Sequence, residues 1–212
     1  MTESKGIPIQ GLFSRFYDRL TAMFGYGEAF TRKMVDEASL RNGEEVLDCG
    51  CGTGALAIMA KQIVGEKGRV SGLDLSCDQL QMARRKTQKA GLEVGYYKGS
   101  IDDLPFPDAS FDVVFCTMTL QYHVPLDVKR RAFHEMRRVL RKGGRLIIAD
   151  FGPPAHLWGW IPFSLIVLKF LSHSWSRNSL FKPLSASLSE AGIQVSKEYV
   201  FKQYIHVIIA SY

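Results

Sequence analysis

Strand and helix patterns alternate along the chain from Glu45 onward, and this alternation constrains the fold more than any other feature. Seven short apolar runs are typical of strands, and helical periodicity fills most of the segments between them. Because parallel strands need crossover connections, the alternation predicts a mainly parallel sheet with helices on both faces. The predicted strands are Glu45–Cys49, Arg69–Leu75, Glu93–Lys98, Phe111–Thr117, Arg145–Asp150, Val195–Phe201 and Tyr204–Ser211.

Capping residues and glycines indicate where the helices begin and end. Ser76 is a typical N-cap for a helix that runs to about Ala90, and Gly143–Gly144 is expected to end a helix over Leu126–Leu140. The last two strands lie too close together for a crossover, so they are expected to form a hairpin that makes one edge of the sheet antiparallel. Further helices are predicted at Glu28–Leu40, Ala55–Val64 and Leu180–Ala191.

The N-terminal residues precede this alternating pattern and differ from it. Apolar side chains such as Phe13, Phe16 and Leu20 recur at helical spacing, which predicts an amphipathic helix that ends near Gly25. We therefore divide the chain into an N-terminal helical cap, residues 1–41, and one α/β domain, residues 42–212.

A glycine-rich turn between two carboxylates is the candidate ligand site, since ligands of open α/β sheets bind at the carboxyl ends of the strands. Asp48 near the end of the first strand leads into Gly50, Gly52 and Gly54, whose backbone can approach a ligand without Cβ obstruction. Asp74 near the end of the second strand is placed to bind two ribose hydroxyls. The turn also fits the dinucleotide pattern G-x-G-x-x-A, and a strand–helix turn without a ligand is the third alternative. A P-loop is excluded, because no Gly-Lys-Ser/Thr follows.

The composition narrows the class of protein. The 212 residues carry a net charge of +6 and are 46% hydrophobic, as in a single globular domain. The four cysteines form no CxxC pair, so we expect no metal site and reduced thiols of a cytosolic protein. The start does not resemble a signal peptide, and prolines interrupt the uncharged residues 151–168, which disfavours a spanning helix. We expect a cytoplasmic protein, soluble or peripheral to a membrane.

Four segments together resemble the class I S-adenosylmethionine-dependent methyltransferases, over roughly Glu45 to Tyr212. The last two are similar to the subgroup of the ubiquinone/menaquinone C-methyltransferases (methyltransferase type 11) and some phospholipid N-methyltransferases. The resemblance implies a Rossmann-like seven-stranded sheet with an antiparallel last strand, S-adenosyl-L-methionine as cofactor, and an apolar substrate-lid insertion at about 152–178. The segments are VLDCGCGTG (46–54), GLDLS (72–76), GSIDDLPFPDASFDVVF (99–115) and EMRRVLRKGGRLIIADF (135–151).

The resemblance also assigns cofactor contacts to individual residues. Asp48 would hold the amino end of the cofactor, Asp74 the ribose hydroxyls, and Tyr17 would cap the cofactor carboxylate. Ser100 stands where the family usually has an acid for the adenine amino group, and Asp102 is the alternative for that contact. The other implied contacts are Gly50, Gly52, Thr53 and Gly54 along the methionine portion, Leu75 and Ile101 at the adenine, and Thr117 beside the methionine chain.

The family's chemistry implies which further residues are needed. A sulfonium methyl group is already electrophilic, so the enzyme must align the acceptor and exclude water. A carbon or phenol acceptor also requires a general base, whereas a free amine depends on one less. His123, just past the fourth strand, and its neighbour Tyr122 are the candidate catalytic residues. The alternative is that both only shape the pocket.

A long apolar segment and a basic helix indicate what kind of acceptor molecule the protein methylates. Residues 157–171 are almost continuously apolar, which favours a lipophilic small molecule, such as a quinone precursor or a phospholipid amine, and contact with a membrane surface. Packing within the core is the alternative. The basic helix near 126–145 suits nucleic acid, but without an Asn-Pro-Pro-Tyr type signature a solvated face is favoured. Methylation of a soluble small molecule and a non-catalytic S-adenosylmethionine-binding partner remain alternatives, and the oligomeric state is left open.

Overall fold

A computed structural model of the chain describes residues 27–120, 124–152, 184–202 and 204–212. Its strands are β1 (Glu45–Cys49), β2 (Arg69–Asp74), β3 (Gly95–Lys98), β4 (Phe111–Thr117), β5 (Leu140–Phe151), β6 (Gln194–Phe201) and β7 (Ile205–Ser211). Its helices are α1 (Glu28–Ala38), α2 (Ala55–Val64), α3 (Cys77–Lys89), α4 (Leu126–Val139) and α5 (Leu184–Glu190).

The strands form one sheet in the order β3-β2-β1-β4-β5-β7-β6. β1 pairs in parallel with β2 on one side and with β4 on the other. β7 runs antiparallel between β5 and β6. The predicted sheet, mainly parallel with an antiparallel last strand, is confirmed. Because the chain winds outward in both directions from β1, the carboxyl ends of β1 and β4 flank a crevice at which such sheets bind ligands.

Apolar side chains bury both faces of the sheet. On one face α1, α2 and α3 pack against the strands around Met34 and Phe115. On the other face α4 and α5 pack around Phe133 and Leu188. Neighbouring residues of β4 serve opposite faces, Val114 in one cluster and Phe115 in the other, because successive Cβ atoms of a strand alternate. Burial on both faces explains why the central strands are continuously apolar rather than alternating.

The helix before β5 ends earlier than predicted. Leu140 already has an extended backbone and pairs with Phe111, so Gly143–Gly144 lie within β5. The prediction that these glycines end the helix is wrong. The reason is tertiary: the Leu140 side chain is buried, and the Arg141 guanidinium donates to the Asp112 carboxylate at 2.6 Å. Because of these contacts, β5 begins at Leu140, before the two glycines.

Two predicted features lie outside the described residues. They are the amphipathic helix that ends near Gly25 and nearly all of the substrate-lid insertion, from residue 153 onward. Of the proposed cap, α1 is the described helix, and it packs in the same apolar cluster as α2. Within the described parts of the chain, no helix is long and apolar enough to cross a membrane.

Candidate functional site

Three glycines in left-handed backbone conformations build the turn between β1 and α2. The φ angles are +74° at Gly50, +52° at Gly52 and +80° at Gly54, values that strain residues with a Cβ. A Cβ would lie 2.1 Å from Thr119 Oγ1 at Gly50 and 2.4 Å from the Tyr96 hydroxyl at Gly54. A Cβ on Gly52 would meet no described atom closer than 3.8 Å. The open side of the turn is therefore at Gly52.

Asp74 ties this turn to the second strand. Its Oδ2 accepts a hydrogen bond from the Gly52 amide at 2.9 Å, and its Oδ1 accepts one from the Ser76 amide at 2.8 Å. Burial raises the pKa of Asp74, although the backbone amides that it accepts from oppose the shift. Each carboxylate oxygen has a second lone pair. Asp74 can therefore still accept hydrogen bonds from the two hydroxyls of a ribose.

The Asp48 carboxylate is buried without a hydrogen bond of ordinary geometry. The residue is 1% exposed, and neither carboxylate oxygen has a hydrogen-bond partner among the described residues. Burial, and to a lesser degree the charge of Asp74, raise the pKa of Asp48 to about 7, although the Ala57 backbone amide opposes the shift. A buried carboxylate in this state is unfavourable unless something pairs with it. The site therefore fits a ligand that brings an amino group or another hydrogen-bond donor.

Gln79 is a polar residue of the site that the sequence reasoning missed. It is 2% exposed, both polar atoms of its side chain lack partners in the described parts of the chain, and its Oε1 lies 3.8 Å from where a Cβ of Gly52 would be. It is the third residue of α3, after the N-cap Ser76, and a glutamine there usually bonds back to the N-cap amide. Asp74 already accepts a hydrogen bond from the Ser76 amide. The Gln79 carboxamide is therefore available to bind a ligand. The signal for it was the pattern Ser-x-x-Gln after a strand-ending carboxylate.

Ser100 and Asp102 form one hydrogen-bonded unit beyond β3. The Ser100 hydroxyl donates to one oxygen of the Asp102 carboxylate, and the other oxygen accepts from the Arg131 guanidinium at 3.0 and 3.1 Å. Burial would raise the pKa of Asp102, but the hydrogen bonds from Ser100 and Arg131 outweigh it and lower that pKa. The carboxylate is therefore ionised at neutral pH. The predicted adenine residue and its alternative thus lie at one place, separated in sequence by the buried Ile101.

The strand order brings most of the predicted cofactor residues to one edge of the sheet. β3, β2, β1 and β4 are neighbours, and their carboxyl ends lead to Ser100, Asp74, Asp48 and Thr117. Thr53, in the turn itself, is buried, and its hydroxyl accepts from the Lys86 ammonium at 2.7 Å. Leu75 and Thr117 are half-buried. Tyr17, Tyr122 and His123 lie outside the described residues.

The cysteines near this edge are buried thiols. Cys49, Cys51 and Cys116 are free and buried, and burial is the main cause that raises the pKa of each thiol. They are therefore protonated at neutral pH and weakly reactive. In the described ranges, no group of three potential metal-ligating side chains lies together.

Comparisons with known proteins agree with this geometry. Residues 46–144 match the family model described as a methyltransferase domain. The chain is 33% identical over 161 residues to the ubiquinone/menaquinone biosynthesis C-methyltransferase UbiE of Shewanella piezotolerans. The aligned residues cover 73% of this chain and 63% of that protein. It is 35% identical over 133 residues to the protein of the same name from Cronobacter sakazakii, covering 62% of this chain and 52% of that protein. The chain thus spans between about half and two thirds of the length of these relatives.

Solved structures of similar fold include methyltransferases. A SAM-dependent methyltransferase from Aquifex aeolicus superposes with a TM-score of 0.67 at 23% identity, over 85% of this chain and 88% of that one. The YcgJ protein from Bacillus subtilis gives a TM-score of 0.61 at 25% identity, over 80% and 70%. In its motifs, its sheet order and the matched domain, the chain is similar to the class I S-adenosylmethionine-dependent methyltransferases.

Proposed function

We propose that this chain binds S-adenosyl-L-methionine at the turn between β1 and α2 and transfers its methyl group to a small lipophilic acceptor, with a ring carbon of a quinone precursor preferred. The observation that carries the cofactor assignment is the unpartnered Asp48 carboxylate at the edge where Gly52 leaves the turn open. The names of the relatives from Shewanella and Cronobacter support the acceptor class.

Each polar group at the sheet edge has a role toward the cofactor in this proposal. Asp48 pairs with the amino group, and Gln79 offers a hydrogen-bond donor and an acceptor beside Gly52. Asp74 accepts from the ribose hydroxyls, while Ser100 and Asp102 receive the adenine amino group. When bound, the cofactor would supply an electrophilic sulfonium methyl group for transfer to the acceptor, and its sulfur would leave as the neutral thioether of S-adenosylhomocysteine.

His123 and Tyr122 are proposed to act on the acceptor. In sequence, both come a few residues after Thr117, the last residue of β4. A ring carbon of a hydroquinone becomes nucleophilic when a neighbouring phenol loses its proton, so this reaction needs a base. An imidazole is suited to take that proton near neutral pH. We assign this step to His123, and we assign to Tyr122 the shaping of the acceptor pocket.

We also propose that the protein is cytoplasmic and works at the membrane surface, where a lipophilic acceptor is found. The apolar sequence over residues 157–171 supports contact with lipid or with the acceptor itself. The net charge of +6 supports docking to anionic headgroups.

Transfer of a labelled methyl group tests the proposal. Purified chain and methyl-labelled cofactor are mixed with a prenylated hydroquinone that lacks one ring methyl, with phosphatidylethanolamine, or with a water-soluble catechol, all in the same detergent micelles. We expect label on a ring carbon of the hydroquinone, identified by mass spectrometry, and a large loss with His123→Ala. Label only in the catechol would favour a soluble acceptor. Label in none of the three, with cofactor binding intact, would favour a non-catalytic binding protein.

A further inference from the structure

A buried carboxylate at the end of β5 holds the backbone that leaves β4. Asp150 is 2% exposed. Its Oδ2 accepts hydrogen bonds from the amides of Thr119 at 3.0 Å and Leu120 at 2.6 Å, and its Oδ1 accepts from the Phe151 amide at 2.8 Å. Two of these three donors belong to the segment after β4, which is not adjacent to Asp150 in sequence. The carboxylate therefore fixes the direction in which the chain leaves the sheet.

The backbone is strained within residues 118–120, the corner at which the chain leaves β4. Met118 has a φ of +55°, a left-handed conformation that is unfavourable for a residue with a long side chain. Its amide donates to the Ala149 carbonyl at 2.7 Å, so β5 holds Met118 as well as the two amides that follow. Strain of this kind persists only where surrounding contacts determine the conformation. The contacts from β5, and Asp150 above all, provide that determination.

The same corner packs directly on the glycine turn between β1 and α2, the proposed cofactor turn. Thr119 fills the space beside Gly50, where an added Cβ would lie 2.1 Å from the Thr119 hydroxyl oxygen. That hydroxyl donates to the Thr117 carbonyl at 2.9 Å, which fixes the side chain over the turn. In the other direction the chain runs from Leu120 into Gln121, Tyr122 and His123 in sequence. The corner thus connects the cofactor turn to the proposed acceptor-side residues.

The charge of Asp150 also acts on a buried cation of α4. Lys129 is buried, and burial lowers its pKa to about 8 although the attraction of Asp150 opposes this shift. Asp150 is therefore both the acceptor for three amides and a counter-charge for this lysine.

We propose that Asp150 is a positioning residue that clamps the corner at 118–120 against the glycine turn and so sets the distance between the cofactor and the acceptor-side residues. The proposal rests on the proposed function for its effect on turnover, but the clamp itself is testable without an acceptor. Its expected signature is a loss of methyl transfer that exceeds the loss of cofactor affinity.

Asp150→Asn tests the clamp. The carboxamide has nearly the same size but only one accepting oxygen, so it cannot serve both the Oδ1 and Oδ2 donors. Asp112→Asn is the matched control, since the Asp112 carboxylate also accepts a backbone amide, that of Glu45 at 2.9 Å, and an arginine contact, at the opposite end of β4. Both variants lose charge-assisted hydrogen bonds, but only Asp150→Asn frees the corner.

Hydrogen exchange of the peptide around 116–124 and calorimetry with S-adenosylhomocysteine are the first readouts. We expect exchange about tenfold faster in Asp150→Asn than in the wild type or Asp112→Asn, and an affinity for S-adenosylhomocysteine changed less than about threefold. S-adenosylhomocysteine should slow this exchange in the wild type and lose that effect in Asp150→Asn. Unchanged exchange, or equal protection by the ligand in both proteins, would overturn the clamp.

Turnover with saturating labelled cofactor and the prenylated hydroquinone separates positioning from stability. We expect the kcat of Asp150→Asn to fall by about tenfold or more while Asp112→Asn keeps wild-type kcat at an equal loss of melting temperature. Equal losses in both variants, or faster exchange with unchanged kcat, would overturn the positioning role. If the wild type transfers no methyl group, the proposed function fails, and exchange still decides on the clamp. If Asp150→Asn does not fold, Asp150→Glu takes its place with the same expectations, because the longer side chain displaces the same acceptors.

Discussion

At the residue scale, the site is marked by polar groups that the described residues leave unpaired. Asp48 and Gln79 are both buried, and none of their side-chain polar atoms has a hydrogen-bond partner there. Such groups lower the free energy of unfolding, because they lose water without gaining a bond. Asp48 precedes the glycine turn, and the Gln79 Oε1 atom lies 3.8 Å from where a Cβ of Gly52 would be. A ligand that binds at this turn can supply the missing hydrogen-bond partners.

Replacing Asp48 by Asn should stabilise the ligand-free protein at alkaline pH. The folded-state pKa of Asp48 is raised from 3.8 to about 7, so the folded protein binds this proton more tightly and the wild type loses stability as pH rises through that window. Asp48→Asn should therefore have a higher melting temperature than the wild type at pH 8, with a difference that shrinks toward pH 4. Thermal unfolding at the two pH values measures this. A difference that does not change with pH would contradict the assignment.

Replacing Gln79 by Met should separate stability from cofactor affinity. Methionine has a similar volume and no unpaired amide, so the melting temperature of the ligand-free protein should rise. Affinity for S-adenosylhomocysteine should fall by about fivefold or more, since a hydrogen bond is worth roughly 1 kcal/mol. Gln81→Met is the control, because Gln81 is exposed on the same helix. Equal affinity of Gln79→Met and the wild type in calorimetry would show that Gln79 does not contact the ligand.

At the scale of elements, the close approach of α2, α3 and β3 depends on Gly54. An added Cβ there would lie 2.4 Å from the Tyr96 hydroxyl and 2.9 Å from the Ala83 Cβ. Gly91 has a similar φ of +66° but no atom within 4 Å of an added Cβ among the described residues. Comparing alanine substitutions at Gly54 and Gly91 therefore separates the free-energy cost of the backbone conformation from that of overpacking.

Gly91→Ala should lower the free energy of unfolding by about 1 kcal/mol, because only the left-handed conformation is penalised. Gly54→Ala should lower it by about 2–4 kcal/mol, because overpacking adds roughly 1–3 kcal/mol to the same conformational cost. Urea unfolding of both variants measures the difference. Equal losses would mean that α2, α3 and β3 can move apart at no cost, which would contradict the close packing around Gly54.

Much of the fold could be predicted because local signals agree with the tertiary structure. α2 and β1 have the predicted bounds, and the hydroxyl of Ser76 accepts from the Gln79 amide as an N-cap does. The helix end at Gly143–Gly144 was wrong because pairing of Leu140 with Phe111 decides that boundary. Asp150 was missed for a similar reason. Its three donors come together only when β4 and β5 pair, and nothing in its local sequence indicates them.

At the scale of the whole molecule, the first described helix is attached to the last strands. Glu37 of α1 accepts hydrogen bonds from Lys197 at 2.8 Å and from the Tyr199 hydroxyl at 2.9 Å, both on β6. Lys33 adds an ion pair at 2.8 Å. Burial would raise the pKa of Glu37, but these partners outweigh it and lower the pKa to about 2. The network therefore holds α1 over the antiparallel edge of the sheet.

Glu37→Gln should destabilise the protein at neutral pH and do so less at acid pH. Because the folded-state pKa lies below the ordinary value of 4.5, the stabilisation is fully present above that value and is lost as pH falls toward 2. The difference in unfolding free energy between the wild type and Glu37→Gln should thus be larger at pH 7 than at pH 3. Urea unfolding at both pH values measures it. Glu28→Gln, which removes an exposed ion pair with Arg32 from the same helix, should have little effect at either pH.

Titration calorimetry with S-adenosylhomocysteine, on the wild type and on Asp74→Ala, tests the central claim most directly, with NADH as the control ligand. We predict micromolar binding of S-adenosylhomocysteine to the wild type, an affinity at least about tenfold lower for Asp74→Ala, and no binding of NADH. Binding of NADH alone would contradict the cofactor assignment and favour a dinucleotide site. An unchanged affinity of Asp74→Ala would contradict the role of the second carboxylate.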